Sequence, residues 1–159
     1  MKSPLFAAPR AAAALLLATA SLGALAALQP GDPAPLFTTD AAVAGKAFAF
    51  DMGAALKKGP VVLYFFPKAF TQGCTLEAHA FAEATPRFAA LGATVVGMSH
   101  DDIATLQRFS TEACRDQFAV ASDPQARTIQ AYDAAAAANP ARADRISYVI
   151  GQDSANSGK

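Results

Sequence analysis

The run Val61-Val62-Leu63-Tyr64-Phe65-Phe66 constrains this chain more than any other feature, closed in as it is by Gly59-Pro60 on one side and Pro67 on the other. An unbroken stretch of β-branched and aromatic residues does not suit a half-solvated strand, where apolar and polar positions alternate; it reads as a central strand buried on both faces. Such a strand requires strands beside it and helices above and below. From Thr75 the period becomes helical, with Leu76, Ala80, Phe81, Ala84, Phe88 and Leu91 on one predicted face, Pro86 bending or restarting the helix and Gly92 closing it. Ala93 to Met98 reads as a second buried strand, and Asp102 caps a helix striped by Ile103, Leu106 and Phe109. Phe118 to Ala121 is a third strand, Asp123-Pro124 starts a helix to about Tyr132, and Arg145 to Ile150 is a last strand after an Ala-rich loop. Ahead of all these, Leu36 to Thr39 and Ala47 to Phe50 form a hairpin around a Gly45-Lys46 turn. The alternation of strand and helix predicts an α/β fold, a central mixed β-sheet flanked by helices.

A chain of 159 residues suits one domain, and with 53% hydrophobic and 16% charged residues it can fill a core. Thirteen basic residues balance thirteen acidic ones, so no field recruits nucleic acid or an anionic membrane. The first thirty residues differ from the rest. Lys2 and Arg10 precede an uncharged Ala/Leu run from Ala11 to Leu28, which contains the small-x-small site Ala24-Leu25-Ala26. This is the pattern of a cleavable export signal over residues 1–26, leaving a domain over 27–159. A membrane anchor fits less well, because alanine is a poor membrane residue and no basic stop-transfer cluster follows. Without Lys2 and Arg10 the formal charge is −2, 11 basic residues facing 13 acidic ones. The exported domain is expected to have no stable membrane association.

The chemistry collects where the buried strand ends. Pro67-Lys68-Ala69-Phe70-Thr71-Gln72-Gly73-Cys74 is a tight connection that delivers Cys74 to the first turn of the next helix. Unpaired backbone N–H groups there favour an anion and hence a thiolate. A thiolate beside a hydroxyl donor such as Thr71 is equipped to attack a weak O–O bond and be left as sulfenic acid.

These residues resemble a family. Pro67-x-x-x-Thr71-x-x-Cys74 matches the active-site motif of peroxiredoxins, the AhpC/TSA proteins of thioredoxin-like fold. Tyr64-Phe65-Phe66-Pro67-Lys68 and Thr75-Leu76-Glu77-Ala78 look most like the peroxiredoxin Q, or bacterioferritin comigratory protein, branch. Gly31-Asp32-x-Ala34-Pro35 and Arg145-Ile146-Ser147-Tyr148-Val149-Ile150 extend the likeness from about Gly31 to Ile150. The resemblance implies a thiol peroxidase acting on hydrogen peroxide and organic hydroperoxides, recycled by a thioredoxin-like or small-thiol reductant, as a monomer or homodimer. It implies that Cys74 is the peroxidatic nucleophile, that Thr71 hydrogen-bonds the peroxide, that Pro67 shields the thiol and that Arg145 stabilises thiolate and peroxide. Export and the family together imply the periplasm of a Gram-negative bacterium.

Two departures stand out. The resolving cysteine that many peroxiredoxin Q proteins carry five residues beyond the nucleophile is replaced by His79, so the resolving role passes to Cys114, with an unresolved one-cysteine enzyme or a purely structural disulfide as alternatives. Resolution by Cys114 requires local unwinding around Cys74. Second, Gly151 to Lys159 is short and polar where the family continues with a further strand and helix, so the fold is expected to lack these, to expose the Arg145 strand as an edge and to self-associate.

Cys74, His79, His100 and Cys114 lack the spacing of a structural zinc site, and Ser99-His100-Asp101 reads as a strand-to-helix loop, since adjacent residues do not converge as a hydrolase triad does. No phosphate loop or dinucleotide fingerprint is present, so no nucleotide cofactor is expected. Two other functions compete with the peroxidase. A thiol-disulfide exchange protein usually shows Cys-x-x-Cys, yet position 71 is Thr; a non-catalytic relative could keep the motif without the complete fold.

Overall fold

The computed structural model describes residues 28–155, so the export signal expected over residues 1–26 lies outside them. Strands β1 (Thr38–Val43) and β2 (Lys46–Asp51) form the N-terminal hairpin, turned by Ala44 and Gly45, both at positive φ. β1 starts and ends further along the chain than the apolar Leu36 and Phe37 suggest. A short helix α1 (Met52–Leu56) follows, capped by Asp51, whose carboxylate accepts from Ala54 N–H at 2.7 Å.

The apolar run becomes β3 (Val61–Phe65), buried at every residue. Its start is sterically fixed: a Cβ on Gly59 would collide with the Gly92 carbonyl. β4 (Thr94–Ser99) lies parallel to β3, and β5 (Ala119–Ser122) parallel to β4. β8 (Ile146–Ile150) runs antiparallel along the other side of β3. The six-stranded sheet has the order β2-β1-β5-β4-β3-β8, so β3 is interior but one place from the edge, and β8 is an edge strand among the described residues. The expected mixed sheet with flanking helices is thus observed. A hairpin of β6 (Ala135–Ala136) and β7 (Asn139–Ala143) replaces the expected Ala-rich loop.

Helix α2 (Gln72–Ala90) runs through Pro86 without restarting, and Gly92, at φ +74, turns the chain out of it. Its buried stripe differs from the predicted one. Cys74, Ala78 and Ala82 face the sheet, with Phe81 and Phe88 half-buried beside them, whereas Ala80 is exposed and Leu76 and Leu91 are 62% and 79% exposed. Small residues every fourth position let the helix approach the sheet closely, and that outweighs the hydropathy of the leucines. Helix α3 (Ile103–Glu112) is capped by Asp102, which accepts from Thr105 N–H at 2.8 Å, and buries Leu106 and Phe109 as expected. Helix α4 (Arg127–Ala131) starts later than expected, because Ala126 is left-handed; the Asp123 carboxylate spans the gap, accepting from Arg127 N–H at 3.0 Å and Ile129 N–H at 2.8 Å.

Two apolar clusters cover the sheet. One, around Leu63, Phe65, Met98 and Ile129, lies on one face; the other, around Tyr64, Phe66, Leu106, Phe109 and Phe118, contains both cysteines.

Candidate active site

The register of the sheet brings distant residues to one end. β3 and β4 pair Phe65 with Met98, β4 and β5 pair Ser99 with Ser122, and β3 and β8 pair Phe65 with Ile146. The carboxyl ends of β3, β4 and β5 therefore meet the start of β8, and Arg145 sits beside the loop that leaves β3. Crevices at the carboxyl ends of parallel strands are where α/β sheets place their sites.

Cys74 lies in the first turn of α2 and is 1% exposed. The first helical backbone bond runs from Thr75 N–H to the Thr71 carbonyl at 2.9 Å, so the amides of Gln72, Gly73 and Cys74 have no intrahelical partner. Arg145, immediately before β8, reaches across and donates from Nη2 to Cys74 Sγ at 3.2 Å. Its Nη1 donates to Glu77 Oε2 at 2.6 Å. Glu77 stands three residues beyond Cys74 on the same helix, where the two side chains are neighbours. One guanidinium thus spans both groups through separate nitrogens, a geometry that suits its planar fork. Burial raises the Glu77 carboxyl above its ordinary range, and the Arg145 charge offsets part of that rise.

Thr71 is the N-cap residue of α2 and is exposed, and its hydroxyl donates to the Lys68 carbonyl at 3.1 Å. With its one proton engaged there, the oxygen is left as an acceptor, where the sequence predicts a donor beside the thiolate. Pro67 is half-buried at the end of β3. Phe70, in the same loop, has φ +63 and lies edge-on to Phe109, their ring centres 5.2 Å apart, with the Arg108 guanidinium 5.1 Å from the Phe70 ring centre. The loop is also held at Ala69, whose N–H donates to Asp101 Oδ2 at 2.8 Å.

Cys114 follows α3 directly and is fully buried, and both cysteines are free thiols. Burial pushes the Cys114 thiol far above its ordinary range, and Asp116 adds to this. Tyr64 is packed in the same cluster; burial, then the nearby Cys114, Glu77 and Cys74, raise its hydroxyl, which has no hydrogen-bond partner.

The structure therefore brings Cys74, Thr71, Pro67 and Arg145 to one end of the sheet and leaves Cys114 fully buried just after α3, in the same apolar cluster as Cys74. Sequence reasoning missed Glu77 and Asp101. The i, i+3 spacing from Cys74 was a usable signal for Glu77; Asp101 offered none, being one acid in a loop 32 residues away from the amide it holds. Ser99 and Asp101 do interact, but as partners in that tether. Among the described residues no three His, Cys, Asp or Glu side chains converge as a metal would require, and no helix is long and apolar enough to cross a membrane.

Residues 30–155 match the AhpC/TSA family model. A Mycobacterium tuberculosis protein named as a peroxiredoxin is 41% identical over 70 residues, 44% of this chain and 45% of the relative. The chloroplastic peroxiredoxin Q of Oryza sativa subsp. japonica is 45% identical over 53 residues, 33% of this chain and 24% of its own length. The chain thus spans less than half the length of these curated relatives. The crystal structure of peroxidoxin BcpB from Mycobacterium tuberculosis superposes with a TM-score of 0.67 at 29% identity, over 77% of this chain and 79% of that one. Mycobacterium tuberculosis AhpC, at 21% identity and a TM-score of 0.71 over 81% and 79% of the two chains, shares the fold.

Proposed function

This chain is a member of the AhpC/TSA family, and from that premise we propose that it is a thiol peroxidase reducing hydrogen peroxide and organic hydroperoxides. The observation that carries this reading is the contact between Arg145 Nη2 and Cys74 Sγ at 3.2 Å, in the first turn of a helix. An arginine is always charged, so its guanidinium favours the thiolate form of Cys74 that attacks the peroxide. The thiolate attacks one peroxide oxygen, the O–O bond breaks, and the departing oxygen leaves as water or alcohol once protonated. Cys74 is left as sulfenic acid. Charge develops on the leaving oxygen during this displacement, and the guanidinium is placed to share it. Thr71 Oγ1 accepts from the peroxide O–H, and Pro67 limits the access of bulk water.

Cys114 resolves the sulfenic acid: its thiol displaces the hydroxyl as water and a Cys74–Cys114 disulfide forms, which a thioredoxin-like or small-thiol donor reduces with two electrons. Because both thiols are buried and free in this state, resolution proceeds through local opening around Cys74. The protein works after export, in the periplasm of a Gram-negative bacterium, as a monomer or homodimer.

The test is stopped-flow peroxide consumption by the exported domain beside Cys74→Ser and Cys114→Ser, with intact mass after one equivalent of peroxide. Loss of fast turnover in Cys74→Ser, a disulfide in the parent and a trapped sulfenic acid in Cys114→Ser are expected. Equal slow consumption by all three proteins would overturn the reading.

A further inference from the structure

We propose that Asp101 is a positioning residue that holds the 67–71 loop closed over Cys74, and that release of its hydrogen bond to Ala69 governs how readily Cys74 leaves its pocket. The role in turnover rests on the peroxidase reading above; the closing of the loop does not.

Asp101 is anchored before it reaches the loop. Its carbonyl accepts from Ser122 Oγ at 2.7 Å, and its N–H donates to Ser99 Oγ at 3.2 Å. Ser99 and Ser122 are buried and paired with one another across β4 and β5. The Ser122 carbonyl accepts from Thr39 Oγ1 of β1 at 2.6 Å, which ties in a third strand. On this base Asp101 Oδ2 accepts from Ser99 Oγ and from Ala69 N–H, both at 2.8 Å. A carboxylate fixed by the sheet thus holds a loop amide, and each member of the network restrains the next.

The loop needs such a hold. Phe70 occupies the left-handed region at φ +63, where a bulky residue is strained. Its neighbour Ala69 is buried at 4% exposure, and the Phe70 ring is held by Phe109 and Arg108 of α3, the helix that Asp102 caps. Breaking the Ala69–Asp101 bond would free the backbone to relax that strain, and the loop leads within a few residues to the first turn of α2. That turn has to unwind for Cys74 to meet Cys114, since a disulfide requires Cα atoms within about 7 Å and side chains that point together. A charge-assisted bond present in the closed form and absent from the open one shifts such an equilibrium by about tenfold or more.

The experiment compares Asp101→Ala and Asp101→Asn with the parent, all in the Cys114→Ser background so that Cys74 alone is titrated. Alkylation of Cys74 by iodoacetamide in the reduced protein, followed by intact mass, reads the opening without peroxide. Asp101→Ala is expected to speed alkylation about tenfold while slowing sulfenic acid formation with hydrogen peroxide, because the open loop uncovers the thiol but carries Thr71 and Pro67 away from the bound peroxide. Asn keeps a carbonyl acceptor for Ala69 and Ser99, so Asp101→Asn should stay within about threefold of the parent in both rates. Ser99→Ala, which removes one anchor and keeps the carboxylate, should move both rates in the same directions by a smaller factor, and it serves if Asp101→Ala does not fold. Alkylation unchanged in Asp101→Ala and Ser99→Ala, or equally fast in Asp101→Asn and Asp101→Ala, would overturn the proposal. Absence of peroxide reactivity in every protein, with the alkylation pattern as expected, would instead overturn the peroxidase reading alone.

Discussion

Gly73→Ala separates the Arg145 contact from the rest of the fold. A Cβ at position 73 would lie 2.7 Å from Arg145 Nη2 and 3.5 Å from its Cζ. Ordinary contact requires about 3.5–4.0 Å, so the Nη2 atom must retreat by roughly 1 Å. That atom donates to Cys74 Sγ at 3.2 Å, and the retreat breaks or misaligns the bond. A hydrogen bond to a charged group contributes about 1.5–3 kcal/mol. The Arg145 side chain is 41% exposed, and solvent screening places the loss at the lower end, about 1.5 kcal/mol. The second-order rate constant for peroxide should therefore fall about tenfold. Stability should change little, because Gly73 lies in the first turn of α2, short of the helix interior where alanine is favoured over glycine by about 0.8–1.0 kcal/mol, and the crowded atom ends a flexible side chain. Stopped-flow rates and thermal melts of the two proteins give the comparison. A rate within twofold of the parent would refute the role assigned to this contact, and a large fall in melting temperature would show that Gly73 serves the backbone instead.

Other consequences can be checked with the same two assays. Arg145→Lys supplies a point charge that cannot span Cys74 and Glu77 together, so the peroxide rate should fall at least about tenfold, with Arg145→Met lower still, and stability nearly unchanged in both. Tyr64→Phe removes a buried hydroxyl that has no partner, and denaturant unfolding should show it stabilised by about 1 kcal/mol; destabilisation would mean that the hydroxyl is satisfied. Burial raises Cys114 and Tyr64 in the folded protein, so above pH 9.0, the ordinary thiol value, the unfolded chain releases protons that the folded one retains. Stability is then complete below that pH and declines as pH rises past it, and Cys114→Ala should flatten the decline between pH 8 and pH 10 in thermal melts.

How much of this was legible depends on where each signal is stored. β3 announces itself because burial on both faces removes every polar residue from a contiguous run, and the Pro67-to-Cys74 connection is equally contiguous. Alanine carries little periodic signal, so the β6–β7 hairpin reads as a loop in the sequence. The buried face of α2 departs from the sequence pattern for a related reason: hydropathy ranks Leu76 and Leu91 above Ala78 and Ala82, while close approach to the sheet selects the small side chains. In the site, Cys74, Thr71 and Pro67 were readable from local chemistry. Arg145 came only from the family resemblance, and Glu77, Asp101 and Gly73 act through contacts set by strand register, which no single segment of sequence encodes.

The residues that stabilise the thiolate and those that close the loop belong to different parts of the sheet. Arg145 and Glu77 approach Cys74 from the turn before β8 and from α2 itself, whereas Asp101 approaches Ala69 from the end of β4, and among the described residues no hydrogen bond joins the two sets. If they act separately, Gly73→Ala should slow attack on peroxide without changing the alkylation that reports opening, and Asp101→Ala should change opening whatever stands at position 73. The double variant then gives a clean cycle: its alkylation rate should equal that of Asp101→Ala within about twofold, the scatter of independent sites. Coupling well beyond that, with the double variant opening far more than either change predicts, would mean that the Arg145–Cys74 bond is itself one of the restraints on opening. The nucleophile would then be activated and confined by one interaction, and no substitution could loosen the loop without also weakening the thiolate.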